Sequence, residues 1–317
     1  LPVGVRVFNS CELSNKNNIC EEHQKVVANM LSSPNIFIEV SNMSEETTGL
    51  IYINYLVSKE LDNETLNVSF FVEKNTQISF VEKWCVADNL GSPLKRQIIS
   101  SWLIESGAQL TFYGLSPKNL RKDSCIANSI FLKQKKNSDV SFSTFYWNSG
   151  VIHNKLEALL EEAGATCNLS SVSLLSNGSC VESNLLVKHL APDCKSSQVY
   201  KGIFDNESKG VFNSIVFVAK GAQGTFSKQQ NNNILLSDYA SISSNPQLEI
   251  YADDVKCEHG STIGQVDPKA LFYLKSRGLN EKLANKMLLS AFLNDVIEDI
   301  KNAEIKHNIL LTLNTLL

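Results

Sequence analysis

The chain has 317 residues, and its 29 Lys and Arg residues against 33 Asp and Glu residues leave a net charge of −4. This balance excludes a generally basic nucleic-acid-binding protein. No apolar run reaches the ~18–20 residues that cross a bilayer, which excludes an integral membrane chain. A hydrophobic content of 43% fits a protein with a sizeable core. The 32 Asn residues favour repeated turns over a helical bundle, because Asn side chains bond to nearby backbone.

The eight cysteines are scattered along the chain and include no Cys-x-x-Cys pair, so no structural zinc site is indicated. A chain of this length needs no disulfides to build a stable core. We therefore expect a reducing, cytoplasmic setting. Because the chain begins at Leu1 and not at Met, we also expect it to be a piece of a longer protein.

Most of the chain is predicted to form short strands. Residues 1–34 are expected to form an N-terminal lead-in with a short helix over 19–31. Residues 35–260 then read as four- to seven-residue segments in which apolar and polar residues alternate, separated by Gly, Asn, Ser and Lys. Three helix candidates stand out, namely Val151 to Ala163 and two beyond Asp267. Residues 261–317 are expected to form a C-terminal helical subdomain.

A Gly-Ala pair recurs at a regular interval in the strand-rich part. The pairs Gly107-Ala108, Gly164-Ala165 and Gly221-Ala222 each precede a strand-like segment, and their two equal intervals would each make two coils of roughly 28 residues. Long stretches of short strands without intervening helices leave a sandwich, a propeller or a β-solenoid. Asn177-Gly178 is the only hairpin-type dipeptide, which weakens an antiparallel arrangement. We predict a single-sheeted β-solenoid from Ser41 to Lys256, closed by helices.

The C-terminal helices have recognisable ends. Asp267 is placed to cap a helix that has Pro268 at its first position, and Gly278 is placed to end it. Asn280 is placed to cap a second helix that runs to Asp299. The apolar positions of this second helix are too many for one face, so it either packs twice on its own chain or meets a partner.

The densest group of chemically capable side chains lies at 253–260. In a strand, Cys257 and His259 would point to the same face, because side chains alternate. A thiolate and an imidazole on one face can share a metal such as iron or zinc. Two ligands do not close a metal site, so a second chain would supply the others or binding would be transient. A structural role is the alternative for such a pair.

The same region carries a resemblance to a known family. Residues 246–254, the stretch DVKCEHGSTIGQVD (254–267) and the stretch ALFYLKSRGL (270–279) resemble the signature of the SufB/SufD family of the SUF iron–sulfur cluster assembly system. The Cys-x-His-Gly form is similar to the SufD branch. The chain departs from the family pattern at Glu258, where Ser is usual, and at Gly224 and Asn232, where basic residues are usual.

The resemblance implies a mainly β fold, a right-handed parallel β-helix with a C-terminal helical subdomain. It implies a non-catalytic subunit that pairs with a SufB-like scaffold and docks a SufC-like ATPase. Cys257 and His259 would contribute to a shared cluster-assembly site. No cofactor would be bound stably by this chain alone, and iron or a transient Fe–S cluster would sit at the partner interface. The implied docking region for the ATPase comprises Phe272, Tyr273, Lys275, Arg277 and Gly278.

Two other functions are alternatives to cluster assembly. Asp253-Asp254 and His259-Gly260 are similar to sites of pectin-type glycoside hydrolases, but adjacent strand residues point to opposite faces and could not flank one water. The second alternative is a purely structural β-solenoid that binds partners without cluster chemistry. No phosphate-cradling loop ending in Lys-Ser or Lys-Thr is present in the sequence, so ATP hydrolysis by this chain is not expected. An isolated chain is expected to pair with itself through a two-fold interface.

Overall fold

The short alternating segments form the strands of a parallel β-solenoid. The computed structural model describes residues 4–9, 36–41, 50–57, 65–86, 93–118, 120–148 and 150–317. The helix expected at 19–31 lies outside these residues. In the described part, the strands belong to two facing sheets, so the prediction of a single-sheeted stack is wrong. Each coil contributes one strand to each sheet, so the inward apolar side chains of one strand pack against those of the other.

The strands alternate between the two sheets along the chain. Sheet A holds β1 (Val5–Asn9), β2 (Ile36–Val40), β4 (Thr65–Val72), β6 (Lys95–Ile104), β8 (Cys125–Gln134), β10 (Val151–Leu160), β12 (Cys180–His189), β14 (Lys209–Val218) and β16 (Ser241–Ile250). Sheet B holds β3 (Leu50–Val57), β5 (Gln77–Val86), β7 (Gln109–Leu115), β9 (Asp139–Trp147), β11 (Thr166–Leu175), β13 (Lys195–Phe204), β15 (Thr225–Leu235) and β17 (Val255–Gly264). Neighbouring strands pair in parallel except β1, which is antiparallel to β2.

The coils are close to the predicted length. Cys125 pairs with Val151 one coil later, and Lys209 pairs with Ser241 in the same way. Left-handed residues stack at one corner of successive coils, one or two positions before the strands β5, β7, β9, β11, β13 and β15 of sheet B: Asn75, Gly107, Asn137, Gly164, Asp193 and Gly224. Gly107 and Gly164 are therefore equivalent positions two coils apart. Gly221 is not equivalent to them, because Gly224 takes that corner position.

One predicted helix is a strand. The segment from Val151 to Ala163 is rich in Leu, Glu and Ala, which suit helices, yet its first ten residues form β10. Every second side chain of β10 is buried, from Ile152 to Leu160. Its register with β8 and β12 supplies backbone partners on both sides. Tertiary pairing therefore overrides the local helix preference.

The interior of the first coils is aromatic. The rings of Phe70 and Trp102 stack with centroids 3.6 Å apart, and Phe112 and Phe142 stack at 4.6 Å. Phe80 meets Trp102 edge to face at 5.6 Å. These rings bury large apolar area, and the Phe80–Trp102 contact has the edge-to-face arrangement that aromatic pairs favour. The solenoid is therefore held in this part by a continuous aromatic column between the two sheets.

Three C-terminal helices follow the solenoid, one more than predicted. They are α1 (Pro268–Ser276), α2 (Glu281–Glu298) and α3 (Ala303–Leu316). The predicted caps are present, since Asp267 accepts from the backbone N–H of Lys269 and Asn280 accepts from that of Leu283. Within the described residues, none of these helices is long and apolar enough to cross a membrane.

Helices α2 and α3 pack on the outer face of sheet B. Outward positions that would otherwise meet water are apolar there, and they form one cluster with the helices: Val81, Tyr113, Phe145, Val172, Ile203, Leu289, Leu293, Val296, Ile297, Ile305, Ile309 and Leu313. Lys201 anchors the contact, because its Nζ donates to the carbonyl oxygen of Phe292 at 2.6 Å and to the carboxylate of Asp295. Both the helix pair and the sheet face are covered by this packing.

Candidate functional site

Cys257 and His259 lie on the last strand of the solenoid. Strand β17 is at the edge of sheet B, where it pairs with β15 and places Cys257 beside Ser227 and His259 beside Gln229. Ser227 and Gln229 are fully buried between the sheets. Because parallel strands in register align their side chains, Cys257 and His259 project toward the inner side of the solenoid. The structure thus brings this pair together over the open end of the stack.

The two side chains differ in exposure. Cys257 is half-buried and reduced, and it packs against a small apolar cluster that includes Val216 and Ala252. Burial raises the pKa of the Cys257 thiol, and the backbone N–H of Ser227 partly offsets this by favouring the thiolate. His259 is exposed. The thiol is therefore protonated at neutral pH, and a metal ion would have to displace that proton on binding.

The acidic neighbours of this pair point elsewhere. Glu258 projects from the opposite face of β17, where its Oε1 lies 3.3 Å from Nζ of Lys228. Asp253 and Asp254 are in the corner before β17, where the backbone of Asp254 bonds to Gln223 and Gly224. Within the described ranges, no group of three or more His, Cys, Asp or Glu side chains is close enough to hold a metal ion.

The interior beneath the pair is polar, which the sequence reasoning missed. Nε2 of His189 lies 2.8 Å from Oγ of Ser196, and that hydroxyl lies 2.8 Å from Oγ of Ser227, directly under Cys257. Burial lowers the pKa of His189 to about 4, so this imidazole is neutral at neutral pH. Gln229, under His259, donates to Ser214 at 2.6 Å. The unbroken run of polar residues at 227–233 is the sequence signal for this polar interior, because a strand that is polar on both faces places polar side chains inward as well.

A hydrogen bond ties the two strands at the open end. Oγ of Ser261 on β17 donates to Oγ of Ser244 on β16 at 2.7 Å. Strand β16 is the corresponding edge of sheet A. The last coil therefore presents both of its strands as sheet edges, and among the described residues each has a neighbouring strand on one side only. An open edge of this kind exposes backbone donors and acceptors that a second chain can complete.

Helix α1 carries the second group of candidate residues. Phe272 and Tyr273 are 74% and 55% exposed, which is unusual for large apolar side chains. The guanidinium of Arg277 lies 5.2 Å from the Tyr273 ring, and Lys275 bonds Glu281 at 2.7 Å. Gly278 ends the helix with a φ of +93°, a left-handed conformation that suits glycine. Leu271 and Leu274 are half-buried on the other side of the helix.

Comparison with known proteins gives a family match over most of the chain. Residues 57–292 match the model of the SufBD core domain of the SUF system for Fe–S cluster assembly. The iron–sulfur cluster assembly protein SufD of Escherichia coli is 32% identical over 167 residues, which is 53% of this chain and 40% of that protein. A SufBD family protein of Synechocystis is 28% identical over 243 residues, 74% of this chain and 53% of that protein.

The similarity extends to the other branch of the family. The iron–sulfur cluster assembly protein SufB of Bacillus subtilis is 27% identical over 180 residues, 55% of this chain and 39% of that protein. This chain thus spans about half the length, or less, of the curated relatives described here.

Proposed function

The chain belongs to the SufBD family of the SUF iron–sulfur cluster assembly system, and on this premise we propose that it acts as a SufD-type, non-catalytic subunit of the assembly complex. The Cys257-x-His259-Gly form supports the SufD branch over the SufB branch. The observation that carries the proposal is the position of Cys257 and His259, side by side on an edge strand at the open end of the solenoid.

A SufB-like scaffold is the proposed partner at this end. The edges of β16 and β17 offer backbone groups that a second solenoid can pair with, extending both sheets across the interface. Such pairing would bring the partner's side chains over Cys257 and His259. Without that partner, a second copy of this chain takes its place through a two-fold interface.

Iron or a nascent cluster is the substrate of the shared site. Thiolate sulfur and neutral imidazole nitrogen are both ligands that iron accepts. Cys257 and His259 supply two ligands, so the partner supplies the others. The raised pKa of the Cys257 thiol keeps it protonated until a cation arrives, which suits a transient receiving site better than a resident one.

Co-expression with SufB-like and SufC-like subunits tests this role. We expect His259→Ala and Cys257→Ser to lower the iron and acid-labile sulfide recovered per purified complex, with the subunits still co-purifying. Matched controls are His153→Ala, an exposed histidine on β10, and Cys180→Ser, a half-buried cysteine on β12. Normal cluster yield from both site variants, in an intact complex, would instead assign the chain a purely structural role.

Self-pairing has its own test. Multi-angle light scattering of the isolated chain is expected to give a dimer whose fraction rises with concentration. A monomer at every concentration up to the millimolar range would remove the self-pairing proposal, and it would leave pairing with the SufB-like subunit to be decided by co-purification.

The proposed docking surface for the SufC-like ATPase lies on α1. Phe272, Tyr273 and Arg277 expose large apolar area beside a guanidinium, and aromatic and Arg side chains dominate the energy of many interfaces. Lys275 and the helix end at Gly278 complete this surface. This helix follows the edge strand β17 in the chain and packs on α2, which in turn packs on β11 and β13.

Point substitutions test the docking surface better than truncation does. Removing residues 280–317 would expose the buried outer face of sheet B and unfold more than the helices. We expect the double variant Phe272→Ala and Tyr273→Ala to lose co-purification of the ATPase with little change in circular dichroism. Leu56→Ala is the control, because Leu56 is 73% exposed and lies on β3, at the edge of sheet B opposite β17. Retention of the ATPase by the double variant would move the docking site elsewhere.

A further inference from the structure

A ladder of asparagine side chains crosses the outer face of sheet A. Asn184, Asn213 and Asn245 are in register on β12, β14 and β16. Nδ2 of Asn213 donates to Oδ1 of Asn184 at 2.9 Å, and Nδ2 of Asn245 donates to Oδ1 of Asn213 at 2.9 Å. The ladder ends on β16, which is an edge strand of sheet A.

A carboxylate sets the direction of these amides. Nδ2 of Asn184 donates to Oε1 of Glu182 at 2.8 Å, and Oε2 of the same carboxylate lies 2.9 Å from Nδ1 of His153. The hydrogen bonds from Asn184 and His153 lower the pKa of Glu182, so this group is ionised at neutral pH. An ionised carboxylate only accepts hydrogen bonds, so the amide nitrogen of Asn184 faces Glu182. Oδ1 of Asn184 is thereby left to accept from Asn213, and the same orientation passes on to Asn245.

The last amide of the ladder has a free acceptor and no free donor. Nδ2 of Asn245 carries two hydrogens, and it donates to Asn213 and, at 3.2 Å, to Oγ of Ser243. Oδ1 of Asn245 accepts from no side chain or backbone group in the described part of the chain. Asn245 is exposed, so water reaches this oxygen in the isolated chain.

A strand that pairs with the edge of β16 would remove that water. Side chains directly opposite each other on one face of paired strands are about 4.5–5.5 Å apart, so the incoming side chain would cover Asn245. A buried acceptor that lacks a donor costs free energy, and both hydrogens of the Asn245 amide are already used. The side chain opposite Asn245 therefore has to donate a hydrogen bond.

We propose that the ladder is a recognition element for the partner subunit, whose pairing strand presents a hydrogen-bond donor to Oδ1 of Asn245. This inference rests on the proposed function, since it takes a strand of the SufB-like scaffold as the occupant of the β16 edge. An apolar side chain in that register leaves the oxygen unpaired, and a carboxylate places two acceptors together. A second copy that sets its own Asn245 opposite has the same defect.

A crystal structure of the chain bound to the SufB-like subunit tests the contact directly. We expect a nitrogen or hydroxyl donor of the partner strand about 2.7–3.2 Å from Oδ1 of Asn245. An apolar side chain or a carboxylate in that place would overturn the proposal. A complex in which the β16 edge faces solvent, or in which a second copy of this chain occupies it, would overturn it as well.

Binding measurements with the purified SufB-like subunit test the energetics. Asn245→Leu is expected to raise the Kd about three- to tenfold, because it leaves the partner's donor buried without an acceptor. Glu182→Gln should also raise the Kd, by about two- to fivefold, although Glu182 is two strands from the edge. A neutral amide at position 182 can donate, so the ladder is free to reverse and present hydrogens to the partner.

Glu157→Gln is the matched control for the carboxylate. Glu157 also lies on the outer face of sheet A, where it pairs with Lys188 at 2.9 Å and stands outside the ladder, so the Kd should not change. A wild-type Kd for both Asn245→Leu and Glu182→Gln would overturn the ladder proposal and leave the proposed function intact. If the wild-type chain itself does not bind the SufB-like subunit, the proposed function fails and this inference fails with it. If a variant does not fold, the crystal structure of the wild-type complex decides the matter.

Discussion

Replacing Glu82 with Gln should reshape the dependence of stability on pH. Burial raises the pKa of Glu82 from 4.5 to about 7, so the folded protein binds more protons than the unfolded chain between these values. The free energy of unfolding therefore falls as pH rises through this window and stays low above it. At 1.36 kcal/mol per pH unit, the fall amounts to about 3 kcal/mol. Gln keeps an acceptor for the Tyr55 hydroxyl and has no charge to bury.

Urea unfolding of the wild type and Glu82→Gln, followed by circular dichroism from pH 4 to 8.5, measures this effect. The informative quantity is the difference in the free energy of unfolding between the two proteins at each pH. His189 is present in both, and it adds a dependence on pH of opposite sign that cancels in this difference. Burial lowers the pKa of His189 from 6.5 to about 4, so its contribution to stability is lost as pH falls through that range. The two slopes oppose each other between about pH 4.5 and 6.5, and the wild-type curve alone would look flatter than either.

We expect the Glu82→Gln variant to gain stability relative to the wild type as pH rises, by about 3 kcal/mol between pH 4.5 and 7.5. His189→Gln serves as the matched control, and its difference curve should have the opposite slope, confined to about pH 4–6.5. A flat difference curve for Glu82→Gln would refute the reasoning, since it would mean that the carboxyl ionises equally easily in the folded and unfolded states.

Three further substitutions test the packing and the corners, each by denaturant unfolding. Leu293→Ala should cost about 2–5 kcal/mol, because Leu293 is fully buried between α2 and sheet B, and a smaller loss would mean that α2 packs loosely there. Gly164→Ala should cost about 1–2 kcal/mol or more, because Gly164 has a φ of +76° and an added Cβ would meet the side chain of Asn137. A Cβ added at Gly221 meets no atom within 4 Å, so Gly221→Ala should leave the stability nearly unchanged. Lys201→Ala should cost about 1–3 kcal/mol by removing the hydrogen bonds from Nζ to the Phe292 carbonyl and the Asp295 carboxylate, and an unchanged midpoint would show that this anchor is dispensable.

Local patterns in the sequence determined the fold class and the family. Period-two alternation with Gly and Asn corners depends on backbone geometry that each segment carries by itself, and it predicted a β-solenoid correctly. The caps at Asp267 and Asn280 are equally local, and both are present. The signature at 246–279 identified the SufB/SufD family, which the match over residues 57–292 confirms.

Long-range packing decided the rest. Val151 to Leu160 has helix-forming residues and is a strand because the neighbouring strands β8 and β12, one coil before it and one coil after it, complete its backbone hydrogen bonds. The sequence predicted that α2 carries more apolar residues than one helix face needs, but it did not show which of them are buried. Packing against the outer face of sheet B buries Leu289, Leu293 and Ile297.

The candidate site, too, was predicted from the sequence only in part. Alternation alone places Cys257 and His259 on one side of a strand, because side-chain direction is a property of the strand itself. That this side lies over the open end of the solenoid, above Ser227 and Gln229, follows from the register of β17 with β15. Register is set by contacts between residues a full coil apart in the chain, and these contacts leave no pattern within a single segment.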